Sequence, residues 1–195
     1  MRRLRVFEHI SLDGVIQMPG GAVEEFVFGN WTEPYRSPEG LAAIVELHGE
    51  GFDLLLGRRT YDIWTGHWPT APKGPVADGI NAATKYVVTH RPDSLTWGPV
   101  EGIGPDFAQR LRHIKAEGDA DLILWGSSTL ASALFEQGLV DEVNLVVYPV
   151  LLGTGKRFFA EGTPPRTLAL ERTRTLPAGN VVNTYIVVGA LQAKA

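Results

Sequence analysis

Three short turns in the sequence carry residues that could bind phosphate. The first is Gly57-Arg58-Arg59-Thr60, which follows the apolar run from Asp53 to Leu56. The start of a helix offers unpaired N–H groups and a positive dipole to an anion, and an arginine can bind two phosphate oxygens at once. The turn therefore predicts a phosphate site, although two solvated surface arginines would also account for it.

Two later turns repeat this arrangement. Thr89-His90-Arg91 follows the run from Lys85 to Thr89, and an arginine there could pair with a 2′-phosphate, which favours NADPH over NADH. The alternative is a solvated loop arginine. In the third turn, Gly126-Ser127-Ser128-Thr129-Leu130, the glycine lets the backbone approach a diphosphate and the serines can cap a helix. Helix capping alone would also explain these serines.

Strands and helices alternate along the first two thirds of the chain, and they must position these turns. Strands are predicted over 4–11, 53–56, 85–89 and 121–125. Helices are predicted from Pro38 to before Gly51, briefly after Thr60, over 105–117 and over 129–137. The stretch from Val15 to Pro38 reads as a long loop with one short helix at most.

This order predicts an α/β fold with a mainly parallel sheet and helices on both of its faces. The C-terminal third differs, because the strand-like runs 142–149, 167–176 and 181–188 have no helix between the last two. Pro177-Ala178-Gly179-Asn180 marks the reversal of an antiparallel hairpin at one edge of the sheet. The three turns then lie at the carboxyl ends of strands, where open α/β sheets bind their ligands.

Composition limits the function classes that remain. A length of 195 residues predicts one domain over 1–195, and the net charge of −4 without a basic run argues against a nucleic-acid partner. No apolar run approaches a membrane span, the five histidines lack metal-ligand spacing, and the chain has no cysteine. We therefore expect a cytoplasmic protein with a small-molecule substrate, without a metal or a membrane partner.

Taken together, the motifs resemble the reductase domain at the C-terminus of the bifunctional riboflavin-pathway deaminase-reductase, a relative of dihydrofolate reductase. The resemblance covers nearly the whole chain. Its motifs occur in the order Ser11-Leu12-Asp13-Gly14, Gly57-Arg58-Arg59-Thr60-Tyr61, Trp125-Gly126-Ser127-Ser128-Thr129-Leu130, Gly138-Leu139-Val140-Asp141-Glu142 and Pro149-Val150-Leu151-Leu152-Gly153-Thr154-Gly155.

The resemblance implies a dihydrofolate reductase-like three-layer fold with a mixed, mainly parallel sheet of about eight strands, NADPH as cofactor and a homodimer. Arg58, Arg59, Thr60 and Arg91 would then hold the adenosine-side phosphates, and residues 126–130 would cradle the diphosphate. The loop around Ser11 to Asp13 would border the nicotinamide.

The residues that the resemblance would place at the substrate depart from the family pattern. The riboflavin-pathway domain has a lysine where this chain has Phe7, and Glu-Gly-Gly where this chain has Trp125-Gly126-Ser127. The carboxylate that dihydrofolate reductases carry on the first helix has no obvious match near Leu41. These three departures predict a substrate that differs from those of the two relatives.

Four residues are candidates for contact with the substrate. Hydride transfer needs a proton donor near the acceptor, and Asp13 is the candidate, with an ordinary Asp-Gly turn as the alternative. Trp125 could stack on a flat heterocycle or simply pack in the core. Ser11 borders the same loop, and Trp31 lies in the segment from Gln17 to Tyr35 that we expect to close over the pocket.

These features predict an NADPH-dependent oxidoreductase that transfers a hydride to a small planar heterocycle, such as a pterin or a pyrimidine. The alternative is a nucleotide-binding or regulatory module that keeps the cofactor cleft without turnover.

Overall fold

A computed structural model describes residues 1–18, 26–159 and 161–192 of the chain. Eight strands form one sheet in the order β4-β3-β2-β5-β1-β6-β8-β7. The strands are β1 (Leu4–Ser11), β2 (Phe52–Gly57), β3 (Lys85–Val88), β4 (Val100–Ile103), β5 (Asp121–Trp125), β6 (Glu142–Tyr148), β7 (Arg166–Thr175) and β8 (Val181–Ala190). The helices are α1 (Pro38–His48), α2 (Arg58–Thr65), α3 (Pro75–Ala82), α4 (Phe107–Ala116) and α5 (Ser128–Glu136).

The sheet has the mixed character that the sequence predicts. Strands β1 to β6 run parallel, β8 pairs antiparallel with β6, and β7 pairs antiparallel with β8. This arrangement confirms the α/β class, the three layers and the antiparallel C-terminal hairpin.

Two apolar clusters form the core, one on each face of the sheet. Helices α1, α2 and α3 cover one face, the α1 face, through residues such as Leu47, Tyr61 and Ile80. Helices α4 and α5 cover the opposite face, the α5 face, through residues such as Leu111 and Leu134. Both clusters contain fully buried side chains, because parallel strands are covered on both sides.

The chain reverses its direction of winding between β1 and β5. From β1 the chain passes through α1 to β2, on the far side of β5, whereas β5 passes through α5 to β6, on the far side of β1. Since the two connections leave in opposite directions and on opposite faces, a crevice opens between the carboxyl ends of β1 and β5. Such a switch point is where open α/β sheets bind ligands.

Two elements were absent from the sequence-based prediction. Strand β4 has four residues and helix α3 has eight, and the helix predicted over 105–117 follows β4 instead of β3. That helix, α4, therefore returns the chain from the sheet edge to β5.

The long loop after β1 contains the short 3-10 helix Glu33–Tyr35. The predicted closing segment from Gln17 to Tyr35 lies partly outside the described residues, which exclude 19–25. In the described part of the chain, no helix is long and apolar enough to span a membrane.

Candidate functional site

The three predicted phosphate turns lie side by side at the carboxyl edge of the sheet. A Cβ added to Gly57 would lie 2.6 Å from Ser127 Oγ, so the turn after β2 touches the turn after β5. A Cβ at Gly126 would lie 3.5 Å from Thr60 Oγ1. The turn after β3 joins the group, because Arg58 Nη1 donates to the Arg91 carbonyl oxygen at 3.2 Å.

The backbone of the third turn adopts the left-handed conformation at two successive residues. Gly126 and Ser127 have φ values of +74° and +64°. Among the residues that the structure describes, Ser127 is the one non-glycine residue with a positive φ. Ser127 Oγ accepts from the Leu130 N–H at 3.4 Å and so caps α5. A non-glycine residue in the left-handed region costs free energy and is found where the surrounding structure requires it.

The arginines of the first two turns differ in their surroundings. Arg58 is held by Asp62 at 2.8 Å and by Ser94 Oγ at 2.5 Å, so it braces the loop after β3. Arg59 and Arg91 are exposed at the same edge. The buried Thr89 accepts from the Arg91 N–H at 3.0 Å and shapes this turn.

Three other predicted cofactor residues differ in exposure. His90 and Thr129 are exposed, whereas Ser128 is buried in the first turn of α5.

Aromatic rings form a continuous band across the carboxyl ends of β5, β1 and β6 on the α1 face. The aromatic band consists of Trp64, Trp125, His9, Tyr148, Trp31 and Tyr35. Neighbouring ring centroids along it lie between 5.2 and 5.9 Å apart. Trp125 is half-buried and meets Phe7 edge-on at 4.6 Å. It therefore packs on the core with one side and borders the crevice with the other.

A hydrogen bond connects two members of the band. His9 Nδ1 lies 2.8 Å from the Tyr148 hydroxyl. Burial, aided by the positive charge of Arg36, lowers the pKa of His9 to about 4, and burial raises the pKa of Tyr148 to about 12. Both side chains are therefore neutral near pH 7, and the hydrogen bond between them carries no net charge.

Comparison with known proteins identifies the family. The family model described as the RibD C-terminal domain matches residues 2–182. The chain belongs to the RibD C-terminal domain family. A curated relative, the uncharacterized protein YyaP of Bacillus subtilis (strain 168), is 24% identical over 189 residues, which is 94% of each chain.

Two solved structures share the fold of this RibD-type domain. A dihydrofolate reductase from Enterococcus faecalis complexed with NADP(H) has a TM-score of 0.62 at 16% identity, covering 95% of this chain and 96% of that one. A diaminohydroxyphosphoribosylaminopyrimidine deaminase/5-amino-6-(5-phosphoribosylamino)uracil reductase from Thermotoga maritima has a TM-score of 0.65 at 12% identity. That match covers 95% of this chain and 56% of the Thermotoga chain.

The carboxylate of Asp13 in this RibD-type domain is held by hydrogen bonds from neighbouring loops. Its carboxylate accepts from Ser11 Oγ at 2.6 Å, from the Leu152 N–H at 3.1 Å and from the Gly153 N–H at 2.8 Å. The Ser11 hydrogen bond, followed by that of Leu152, lowers the pKa of Asp13 to about 2. A carboxylate that is ionised at neutral pH has no proton to give, so the geometry argues against the predicted role of Asp13 as proton donor.

The other two predicted substrate residues also have internal partners. Ser11 is buried and its hydroxyl also accepts from the Val15 N–H at 2.9 Å, so it fixes the loop after β1. Trp31 is buried and donates from its indole nitrogen to the Gln17 carbonyl oxygen at 2.7 Å. Trp31 thereby joins the loop to the aromatic band beside Tyr148.

One residue beside the switch point was missed from the sequence. Glu8 is 5% exposed and its side chain lies on the α5 face, which β1 otherwise fills with Leu4, Val6 and Ile10. The sequence does contain a signal for it: alternate residues of β1 point to the same face of the sheet, and Glu8 is the charged residue in a series that is otherwise apolar. A buried carboxyl beside a ligand crevice is a candidate binding group.

A second cleft of about 560 Å³ lies toward the opposite end of the sheet, and the ring of His48, which lines it, is 5.1 Å from that of Trp125. It is lined by residues such as His48, Phe52, Pro75 and Asp78, near the amino ends of β2 and β5. The phosphate turns and most of the aromatic band lie at the other edge, so we place the candidate site at the switch point.

Proposed function

We propose that this protein is an NADPH-dependent reductase that transfers a hydride to a small planar heterocycle. The convergence of the three turns on the switch point, next to the aromatic band, is the observation that carries this proposal. It supports a dinucleotide site and an acceptor site that share one crevice.

The residues around the turn after β5 fit a dinucleotide diphosphate. Gly126 presents bare backbone to the crevice, and α5 begins directly behind it with its N-terminal N–H groups. Thr60 lies at the start of α2 on the other side of the same space. Arg59 and Arg91 add positive charge at this edge, which suits the phosphates of the adenosine half.

The aromatic band suits an uncharged planar acceptor. Trp125 and Trp64 offer ring surface on one side of the crevice, at 5.2 Å from each other. His9 is neutral near pH 7 because its pKa is lowered to about 4, so it contributes hydrogen bonding without charge. The absence of the family's polar residues at Phe7 and Trp125 supports an acceptor other than the riboflavin-pathway intermediate.

In this proposal the protein supplies binding, orientation and exclusion of water. NADPH, when bound, supplies the hydride. The aromatic band holds the acceptor flat against the crevice and lowers the local exposure to water. Expected site residues are therefore Gly57, Thr60, Gly126, Ser127 and Trp125, together with the exposed arginines.

The test is NADPH binding by titration calorimetry with wild type, Gly126→Ala and Gly138→Ala. Both glycines have positive φ, +74° and +63°, so both variants lose about 1–2 kcal/mol of stability from backbone strain. A methyl group at 126 also enters the space beside Thr60, whereas nothing lies within 4 Å of a Cβ at 138. We expect Gly126→Ala alone to weaken NADPH binding, by about tenfold or more.

Wild-type protein that binds no NADPH would overturn the proposal. Equal affinities of the two variants would overturn the placement of the cofactor. Oxidation of NADPH followed at about 340 nm with folates, pterins and pyrimidine precursors then tests turnover. Binding without oxidation of any acceptor would favour the alternative, a nucleotide-binding module.

A further inference from the structure

Glu8 occupies the gap that opens where β1 and β5 separate. The pairing of β1 with β5 ends at Phe7 and Trp125, so Glu8 is the first residue of β1 beyond it. The backbone groups of successive residues in a strand point alternately to its two neighbouring strands. The Leu122 N–H donates to the carbonyl oxygen of Arg3, so the backbone groups of the odd-numbered residues of β1 point toward β5. The His9 N–H therefore points into the gap, past the end of β5.

The two carboxyl oxygens of Glu8 have different environments. Oε1 accepts from the His9 N–H at 3.0 Å. This backbone N–H has no strand partner, because β5 ends before it, so the Glu8 side chain takes the place of that partner. Oε2 is buried and has no partner that meets hydrogen-bond geometry among the described residues, although the Gly126 N–H lies near enough to the carboxyl group to favour its ionised form. Oε2 lies 3.9 Å from the position that a Cβ on Gly126 would occupy, and thus faces the crevice over the bare backbone of the turn.

The surroundings of Glu8 keep it protonated. Burial raises the pKa of Glu8 to about 8, and the backbone N–H groups of His9 and Gly126 offset only part of this effect. The residue that pairs with Glu8 on β6 is Leu145. The group of α2 that lies beside the same Gly126 position is the Thr60 hydroxyl. Neither residue is titratable, and the adjacent His9 is neutral near pH 7 because its pKa is lowered to about 4.

We propose that Glu8 is a cofactor-binding residue whose Oε2–H donates a hydrogen bond to a phosphate oxygen of the dinucleotide diphosphate seated over Gly126. This inference rests on the proposed function and adds a residue to it. An unpartnered buried donor costs free energy, and a ligand oxygen in the crevice would remove that cost. The proton is also required electrostatically, because an ionised carboxylate would repel the diphosphate.

The substitution Glu8→Gln separates the donor from the charge. The amide keeps a donor at the position of Oε2 and an acceptor for the His9 N–H, and it cannot ionise. Glu8→Ala removes both groups. The two variants and the wild type are titrated with NADPH and with 2′-phospho-ADP-ribose, which carries the diphosphate without the nicotinamide, between about pH 7 and about pH 9.5.

We expect Glu8→Gln to match the wild type at neutral pH and Glu8→Ala to bind both ligands about tenfold more weakly or worse. As pH rises through about 8, wild-type affinity falls while the affinity of Glu8→Gln stays level, since only the wild type acquires a negative charge there. The phosphates of the ligands titrate alike for all three proteins and so cancel in the comparison.

A second readout keeps the inference testable if Glu8→Ala does not fold. The carboxyl 13C resonance of Glu8, identified by its loss in Glu8→Gln, should titrate near the pKa of about 8 in the free protein. Adding 2′-phospho-ADP-ribose should move this midpoint to higher pH, because a bound anion favours the protonated form.

Identical pH profiles for wild type and Glu8→Gln, or unchanged affinity in Glu8→Ala, would overturn the role of Glu8 while leaving NADPH binding intact. An effect on NADPH but not on 2′-phospho-ADP-ribose would overturn the assignment to the diphosphate. Wild-type protein that fails to bind NADPH at any pH would overturn the proposed function, and this inference with it.

Discussion

Asp13 accepts hydrogen bonds from Ser11, Leu152 and Gly153, and these bonds tie the loop after β1 to the loop after β6. At the scale of single residues, the carboxyl groups of Asp13 and Glu8 have opposite protonation properties in this site. Asp13 is surrounded by donors and its pKa falls to about 2, whereas burial raises the pKa of Glu8 to about 8. The environment of each carboxyl therefore decides which of them carries a proton at neutral pH.

Replacing Asp13 with Asn should destabilise the protein in a pH-dependent manner. A carboxyl whose folded-state pKa is depressed stabilises the fold above its unfolded pKa, and that contribution disappears as pH falls through the folded value. For Asp13 this window extends from about pH 4 down to about pH 2. We expect the urea midpoint of Asp13→Asn to lie below that of the wild type at pH 7 and to approach it at the acid end.

The control for this experiment is Asp93→Asn, at an exposed residue in the short helix Pro92–Ser94. It should change the urea midpoint little at any pH. A difference between wild type and Asp13→Asn that stays constant across the window would show that the ionised carboxylate does not provide the stabilisation.

At the scale of elements, the turns after β2 and β5 interlock. Gly57 has a φ of −73°, which any residue adopts, so backbone freedom does not require glycine there. The close contact with Ser127 requires glycine there, because a Cβ at Gly57 would lie 2.6 Å from Ser127 Oγ and 3.1 Å from Ser127 Cβ. The close approach of the two turns brings the N-termini of α2 and α5 to one crevice.

A double-mutant cycle can test this contact. Gly57→Ala should cost about 1–3 kcal/mol of unfolding free energy through overpacking. Ser127→Gly removes the obstructing side chain, and in that background Gly57→Ala should cost less by about 1 kcal/mol or more. Urea unfolding of the four proteins gives the coupling. Additive free energies would contradict the interlock.

At the scale of the whole molecule, the C-terminal hairpin leaves one edge of the sheet uncovered. Strand β7 is exposed along most of its length, and Leu170 on it is 56% exposed. An exposed edge strand presents unpaired backbone groups and invites pairing with another chain. The homodimer that the family resemblance implies would cover this surface.

We therefore expect a sedimenting mass of twice the 21.3 kDa chain, and we expect Leu170→Glu to shift it toward the monomer. The matched control is Leu12→Glu in the loop after β1, where the leucine is 63% exposed and β6 and β8 lie between its strand and β7. Analytical ultracentrifugation distinguishes the dimer from the monomer. A monomeric wild type, or equal effects of both variants, would contradict dimerisation through β7.

The order of most elements follows from the sequence alone. Periodicity and caps marked α1, α5 and the terminal hairpin, because these signals depend on residues close in the chain, such as Ser37 capping the Gly40 N–H at 3.0 Å. Strand β4 and α3 escaped detection since each is short, with four and eight residues. The sequence also located the three turns, each of which directly follows its strand.

The surroundings of these residues, in contrast, depend on how distant segments pack together. The tertiary structure joined the Asp13 carboxylate by a hydrogen bond to the Gly153 N–H, 140 positions further along the chain. It also buried Glu8 in the crevice between β1 and β5, where no local pattern could reveal the missing partner of Oε2. Protonation depends on burial and on long-range neighbours, and strand order sets both, so the chemistry of the site emerged only from the assembled sheet.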